Sequence, residues 1–202
     1  MKIVLASASP RRAQLLKQLN LTFLVSPSNI EEVMDFSINP SELVESLAKQ
    51  KGESVCEAHP DSFVIAADTI VSLHGNYLGK PETRDEATKM LSEMSGNTHN
   101  VYSGVWLAKT DQKGIPEREA NFSEKTKVTF GALDPLDIER YVYGGSPMDK
   151  AGAYGIQDDF GAVFVKSIEG DYNNVVGFPL FEFYQQVKNH FPEVFKKHFN
   201  SL

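Results

Sequence analysis

The sequence predicts one α/β domain, residues 1–202, built on a mixed sheet, and three observations predict it. Short apolar runs without polar alternation, Ile3–Ala6 and Phe63–Ala67, read as strands buried on both faces. Segments with apolar residues every three or four positions, such as Leu43, Val44, Leu47 and Val55, read as helices between them. No internal repeat, low-complexity tract or long linker divides the chain, and 41% hydrophobic content over 202 residues suffices for one core or for two lobes around a cleft.

The elements follow in order. After the strand Ile3–Ala6, Ser9 and Pro10 start a helix as cap and first helical residue. Leu15, Leu16 and Leu19 form its apolar stripe, and it ends near Asn20. Phe23-Leu24-Val25 is a second strand, with Ile30-Glu31-Glu32 in the loop beyond. A helix from Pro40 to about Glu57, capped by Ser41, leads to the strand Phe63–Ala67, which is expected to stop at Asp68-Thr69. Ile70 to Leu78 read as a hairpin turning at Gly75-Asn76. Arg84 to Met94 form an amphipathic helix with Ala87, Met90, Leu91 and Met94 inward. Two strands, Val101–Lys109 and Ala120–Phe130, flank a polar excursion at Thr110–Glu119 that reads as a flexible loop. A short helix opens at Asp134, Val163–Val165 reads as a strand, and a final helix lies within Gly177–His190.

Composition narrows the function. A formal net charge of −7 argues against a nucleic-acid polymer as partner, since such binding needs a strong positive field. A small nucleotide needs only a few local cations. Cys56 is the only cysteine, so an intrachain disulfide and a Cys-rich zinc site are both excluded, and a reducing cytoplasmic setting is expected. No apolar run reaches membrane-spanning length, so no membrane partner is expected.

Four places carry candidate chemistry. Ser7-Ala8-Ser9-Pro10-Arg11-Arg12 brings two hydroxyls and two guanidiniums to a helix start, where unpaired amides favour an anion. Taken alone, a capped helix with two solvated arginines accounts for it at least as well. Asp68-Thr69 follows a buried strand, where open α/β sheets place ligands. Such a carboxylate holds Mg²⁺, takes a proton from water, or simply caps a turn. Glu31 and Glu32 offer a second carboxylate or a solvated pair. Lys80, fixed before Pro81, and Lys150, at the head of the small-residue run Ala151-Gly152-Ala153-Tyr154-Gly155-Ile156-Gln157, are further cations. The Gln157 amide suits the edge of a base. Asp158, Asp159 and Asp171 read as metal ligands or as solvated acids, and the five histidines show no metal spacing.

In this order the segments resemble the Maf family of nucleotide pyrophosphatases over essentially the whole chain. The matching blocks are Leu5–Arg12, Ile30–Glu32, Ala67–Thr69, Gly79–Pro81, Leu91–Gly96, Pro147–Gln157 and Val175–Leu180. The resemblance implies a bilobed fold like that of inosine triphosphate pyrophosphatases, with a strongly twisted mixed central sheet flanked by helices and a deep cleft. It implies a homodimer and divalent-metal-dependent release of pyrophosphate from a nucleoside triphosphate. On that basis Asp68 is the catalytic proton acceptor and Glu32 the second acid, the two holding Mg²⁺ or Mn²⁺, with Lys80 also catalytic. Ser7, Ser9, Arg12, Lys80 and Lys150 would hold the triphosphate, and Arg11, Thr69 and Gln157 would set substrate choice.

The run Asp149–Gln157 resembles the branch acting on dTTP and UTP rather than the one acting on 7-methyl-GTP. One departure bears on base selectivity: Asp158-Asp159-Phe160 precede Gly161, a loop one residue longer and more acidic than that branch usually carries. A non-catalytic nucleotide-binding regulator of septum formation is a reading of another class; it would require a lost catalytic group, yet Glu32, Asp68, Lys80 and Lys150 are all present. A phosphosugar-binding module has only the cationic loop in its favour.

Overall fold

The computed structural model describes residues 1–157 and 159–199. Its strands are β1 (Lys2–Leu5), β2 (Leu24–Val25), β3 (Ser62–Leu73), β4 (Asn76–Leu78), β5 (Thr98–Thr110), β6 (Pro116–Phe130) and β7 (Val165–Glu169). Its α-helices are α1 (Pro10–Gln18), α2 (Pro40–Cys56), α3 (Arg84–Met94), α4 (Pro135–Tyr143), α5 (Tyr172–Val176), α6 (Leu180–His190) and α7 (Pro192–His198). The strands form one sheet in the order β2-β1-β3-β5-β6-β7, with β4 paired to β3. It is mixed, as the sequence predicts: β1 runs parallel to β2 and β3, whereas β4 and β7 are antiparallel to β3 and β6. Asp158 and the Asp159 side chain, on which the loop departure and two candidate ligands rest, lie outside the described residues. Among the described residues, no helix is long and apolar enough to cross a membrane.

The chain divides into two compact units, the first comprising Met1–Asp68, Ser103–Glu124 and Gly177–Leu202. In it, period-two alternation sends Val4, Ala6, Val64 and Ala66 to one core with Ala48, Val55, Cys56, Trp106 and Ala108. Ile3, Leu5, Phe63 and Ile65 are equally buried, and Phe63 meets Phe191 edge-on at 5.0 Å. Helix α2 approaches its neighbours closely. A Cβ on Gly52 would stand 2.1 Å from a Trp106 ring carbon, and one on Gly104 would stand 2.2 Å from the Val44 carbonyl oxygen. These small residues fix the height of α2 over the sheet.

The second unit comprises Thr69–Tyr102 and Lys125–Val176. Its core joins Val71, Leu78, Leu91, Met94, Val128, Phe130, Ile138, Tyr141, Tyr154 and Phe164. His99 sits wholly buried in it, edge-on to Phe130 and Tyr154 at 4.9 and 5.2 Å.

Several elements differ from expectation. The N-cap of α2 is Asn39, in a reciprocal capping box with Glu42, rather than Ser41. Strand β3 does not stop at Asp68 but runs on to Leu73, because sheet pairing needs only backbone and tolerates a polar pair. Its turn is His74-Gly75, at φ 52° and 84°, the left-handed pair that a two-residue hairpin requires, and Asn76 already belongs to β4. Half of the Thr110–Glu119 excursion is strand: β5 ends at Thr110 and β6 begins at Pro116. Its turn is tied down by the Asp111 carboxylate, which accepts from the Lys113 and Ile115 amides at 2.8 Å. Val163 and Phe164 fall in a 3₁₀ turn, and the strand begins at Val165. Helix α6 is not the last: α7 follows once Pro192 prevents continuation.

Burial pulls the His99 imidazole from an ordinary 6.5 down to about 4, so it is neutral in the folded chain. Between those values the unfolded chain binds a proton that the folded chain refuses, so stability falls as pH drops through the window, by roughly 3 kcal/mol at its acid end. Urea unfolding at pH 7, 5.5 and 4 is expected to show a shallower acid loss for His99→Gln than for the parent. Identical losses would remove His99 as a source of acid sensitivity.

Candidate functional site

The site of the first unit is built where β1 gives way to α1. Strand β1 pairs with β3 only as far as Leu5 and Ile65, and the Ala6 amide then donates to the Ile65 carbonyl at 2.8 Å. The chain leaves the sheet there, and Ser9 caps α1 with its hydroxyl 3.4 Å from the Arg12 amide, with Pro10 at the first turn. Ser7 is buried; its hydroxyl accepts from the Ser9 amide at 3.2 Å and from Arg12 Nη1 at 3.1 Å. Arg12 Nε donates to the Gly177 carbonyl at 3.0 Å. Arg12 is therefore not a solvated arginine: its planar guanidinium spans the helix start and the segment before α6. Burial holds it below the usual arginine range, while Asp68 and Glu32 act in the opposite sense.

Asp68 lies within β3, three residues beyond the last β1 partner, where the buried strand opens at Asp68-Thr69-Ile70. The position corresponds to the carboxyl end of the parallel ladder, although the strand itself continues. The structure brings Asp68 and Glu32 together through a residue the sequence reading missed. Lys51 of α2 places its ammonium on Asp68 Oδ1 in a short contact and on Glu32 Oε1 at 3.0 Å. Its side chain is 15% exposed, beside 14% for Asp68 and 31% for Glu32, so the three charges are partly withdrawn from water. A signal for Lys51 exists: it falls four residues after Leu47 and four before Val55, on the stripe that α2 buries. A lysine there must reach a partner or leave a charge poorly solvated.

The second unit holds the remaining candidates. Lys80 is exposed after β4. Lys150 is buried, and its ammonium donates to the Ser146 carbonyl at 2.6 Å and to Asp149 Oδ1 at 2.8 Å. The Gly152 amide donates to the Gly79 carbonyl at 3.0 Å, joining the Lys80 and Lys150 segments. Thr69 and Gln157 are partly buried, and Gln157 Nε2 is a buried donor without an acceptor among the described residues. Asp171 is an ordinary cap, accepting from the Asn173 amide at 2.7 Å at the start of α5.

Residues 2–190 match the family model described as Maf-like protein. The chain belongs to the Maf family. Among its relatives, a dTTP/UTP pyrophosphatase of Halalkalibacterium halodurans is 47% identical over 188 residues, covering 93% of this chain and 95% of that protein. A second protein of that name, from Carboxydothermus hydrogenoformans, is 46% identical over 93% of this chain and 98% of its own length. Among solved structures, the Staphylococcus aureus Ham1 protein aligns at a TM-score of 0.43 and 14% identity over 64% of this chain and 72% of that one.

As a metal site, this Maf chain offers a pair of carboxylates; among the described residues no group of three or more His, Cys, Asp or Glu side chains is arranged around one point. A pair already converging on one cation fits Mg²⁺, which is commonly held by one or two carboxylates and completed by phosphate oxygens and water. Lys51→Met is expected to cost about 1–3 kcal/mol in metal-free buffer, because two carboxylates then face each other without a cation. Millimolar Mn²⁺ should return part of that loss in thermal unfolding. A variant whose midpoint Mn²⁺ leaves unmoved would show that the pair does not accept a divalent cation.

Proposed function

We propose that this Maf-family chain hydrolyses dTTP and UTP between the α and β phosphates, giving the nucleoside monophosphate, diphosphate and a proton. The observation that carries the reading is the Lys51-bridged pair of Asp68 and Glu32 in the same unit as the Ser7–Arg12 helix start. A phosphoanhydride cut needs a proton acceptor for water and positive charge for the phosphates, and those segments supply both kinds of group. The names of the relatives above point to the same substrates.

In this reading the α1 amides with Ser7, Ser9 and Arg12 bind phosphate oxygens, where the helix start favours negative charge. Arg12 is already oriented by Gly177 and Ser7, so little ordering is left to be done on binding. Water attacks the α-phosphorus in line with the departing diphosphate. Asp68 takes the water's proton, and in the metal-free chain Lys51 engages the same carboxylate through Oδ1. Asp68 and Glu32 would hold Mg²⁺ or Mn²⁺ in the place that the Lys51 ammonium takes here, and the ion would supply polarisation of the phosphoryl oxygens. Lys80 offsets the charge of the leaving diphosphate, Lys150 binds the triphosphate, and Arg11, Thr69 and Gln157 act in substrate choice. The enzyme works on free nucleotide as a cytoplasmic homodimer, with 1–202 acting as a single domain.

The Gln157 donor, without an acceptor among the described residues, supports a base-reading role, since a buried amide finds its missing acceptor in a pyrimidine carbonyl. Asp68→Asn is expected to lower turnover of UTP by roughly 100- to 10,000-fold with the fold intact, read as diphosphate release across a nucleotide panel with and without Mg²⁺. Near-normal turnover would remove Asp68 as the base. Gln157→Ala should narrow the preference for UTP over GTP by about tenfold or more; an unchanged ratio would assign base choice elsewhere.

A further inference from the structure

The segment from Ser146 to Gln157 carries both Lys150 and Gln157, yet it has almost no regular structure. Two 3₁₀ turns, Ser146–Asp149 and Ala151–Ala153, are separated by extended Lys150. Gly152 stands at φ 70°, and Ala153 at φ 60°, a conformation an alanine adopts only when its surroundings impose it. The sources of that constraint are visible on both sides. Upstream, the Gly152 amide is tied to the Gly79 carbonyl, and a Cβ on Gly152 would stand 3.1 Å from a Val71 methyl. Downstream, the Tyr154 hydroxyl lies 2.8 Å from His99 Nε2, and the Gly155 amide donates to the Tyr141 hydroxyl at 3.3 Å.

His99 is an odd choice for packing alone. It is fully buried, neutral because burial depresses its protonation, and its Nδ1 has no partner among the described residues. An apolar ring would fill the same space beside Phe130 and Tyr154 without leaving a polar atom unsatisfied. What the imidazole adds is one directional bond to Tyr154. That bond fixes the Tyr154 ring, which also meets Phe130 edge-on at 4.8 Å, at the point where the strained backbone leaves Ala153. Four residues upstream is Lys150, and three residues downstream is Gln157.

We propose that the buried His99–Tyr154 hydrogen bond is a positioning device for the Lys150–Gln157 segment, which makes His99 and Tyr154 positioning residues for nucleotide binding and base choice. The proposal rests on the substrate reading given above. The bond holds the segment in the strained conformation that presents the Gln157 amide, so its loss weakens binding and discrimination rather than the chemical step.

The test uses the full chain and two variants, Tyr154→Phe and the double variant His99→Phe/Tyr154→Phe. The single variant deletes one hydroxyl and keeps the ring. The double variant replaces both polar partners by apolar rings, which restores packing without an unsatisfied group. For Tyr154→Phe we expect amide hydrogen exchange across residues 150–157 to quicken about tenfold or more, while α3 and β5 keep their protection. KM for UTP should rise about tenfold with kcat nearly unchanged, and the ratio of UTP to GTP hydrolysis should narrow. The double variant should regain thermal stability but not KM, the UTP-to-GTP ratio or slow exchange. Unchanged exchange and KM in Tyr154→Phe overturn the proposal, as does recovery of KM, the ratio and slow exchange along with stability in the double variant. If the single variant does not fold, the double variant decides alone by the same readouts. If the parent chain releases no diphosphate from UTP, the substrate reading fails, and the exchange experiment still judges the hydrogen bond.

Discussion

Helix α2 lies where it does because two positions carry no side chain. Gly52 leaves room for the Trp106 ring, and Gly104 leaves room for the Val44 carbonyl. With Ala48, Ala66 and Ala108 in the same core, the contact between helix and sheet is made of small groups around one large indole. A helix held further out would not bring the Lys51 ammonium to Asp68 and Glu32. The electrostatics of the first unit therefore follow from an absence of volume in its core. The indole itself is anchored, since Trp106 Nε1 donates to Glu119 Oε2 at 2.8 Å and Glu119 pairs with Lys49 of the same helix.

Much of the fold was legible because local chemistry and buried pattern agreed. Ser9-Pro10 marked a helix start, Ile3–Ala6 a two-faced buried strand, and Ala87, Met90, Leu91 and Met94 the inward stripe of α3. Expectation and structure part where polar residues look like breaks in a strand. Asp68-Thr69 interrupts an apolar run without interrupting β3, and β5 and β6 take Thr110 and residues 116–119 from the expected loop. Backbone pairing is blind to side-chain polarity, so a run of apolar residues marks the buried part of a strand rather than its length. The cap of α2 lies two residues before the expected Ser41 for a different reason: Asn39 and Ser41 are both good caps, and only the reciprocal bond with Glu42 decides between them.

The candidate site was legible to an uneven degree. Ser7, Arg12, Asp68 and Glu32 stand in recognisable blocks, and the structure joins them within one unit through bonds and charge. Lys51 escaped because a lysine in a helix is usually solvated, and only its place on the buried stripe distinguishes it. His99 escaped because its meaning depends on Tyr154, fifty-five residues away in sequence. Pairs of that kind become visible only when the chain is folded.

The two ends of the sheet differ in a way that bears on solubility. At one end β2 consists only of Leu24 and Val25, both apolar and about half exposed. At the other, β7 is longer but shows solvent Lys166, Ser167 and Glu169, with Glu169 paired to Lys127 of β6. A sticky edge is kept too short to template another strand, and a long edge is charged. Each end thus resists open-ended association between sheets by a different route, leaving a chain that carries a long mixed sheet less prone to assemble through its unpaired backbone.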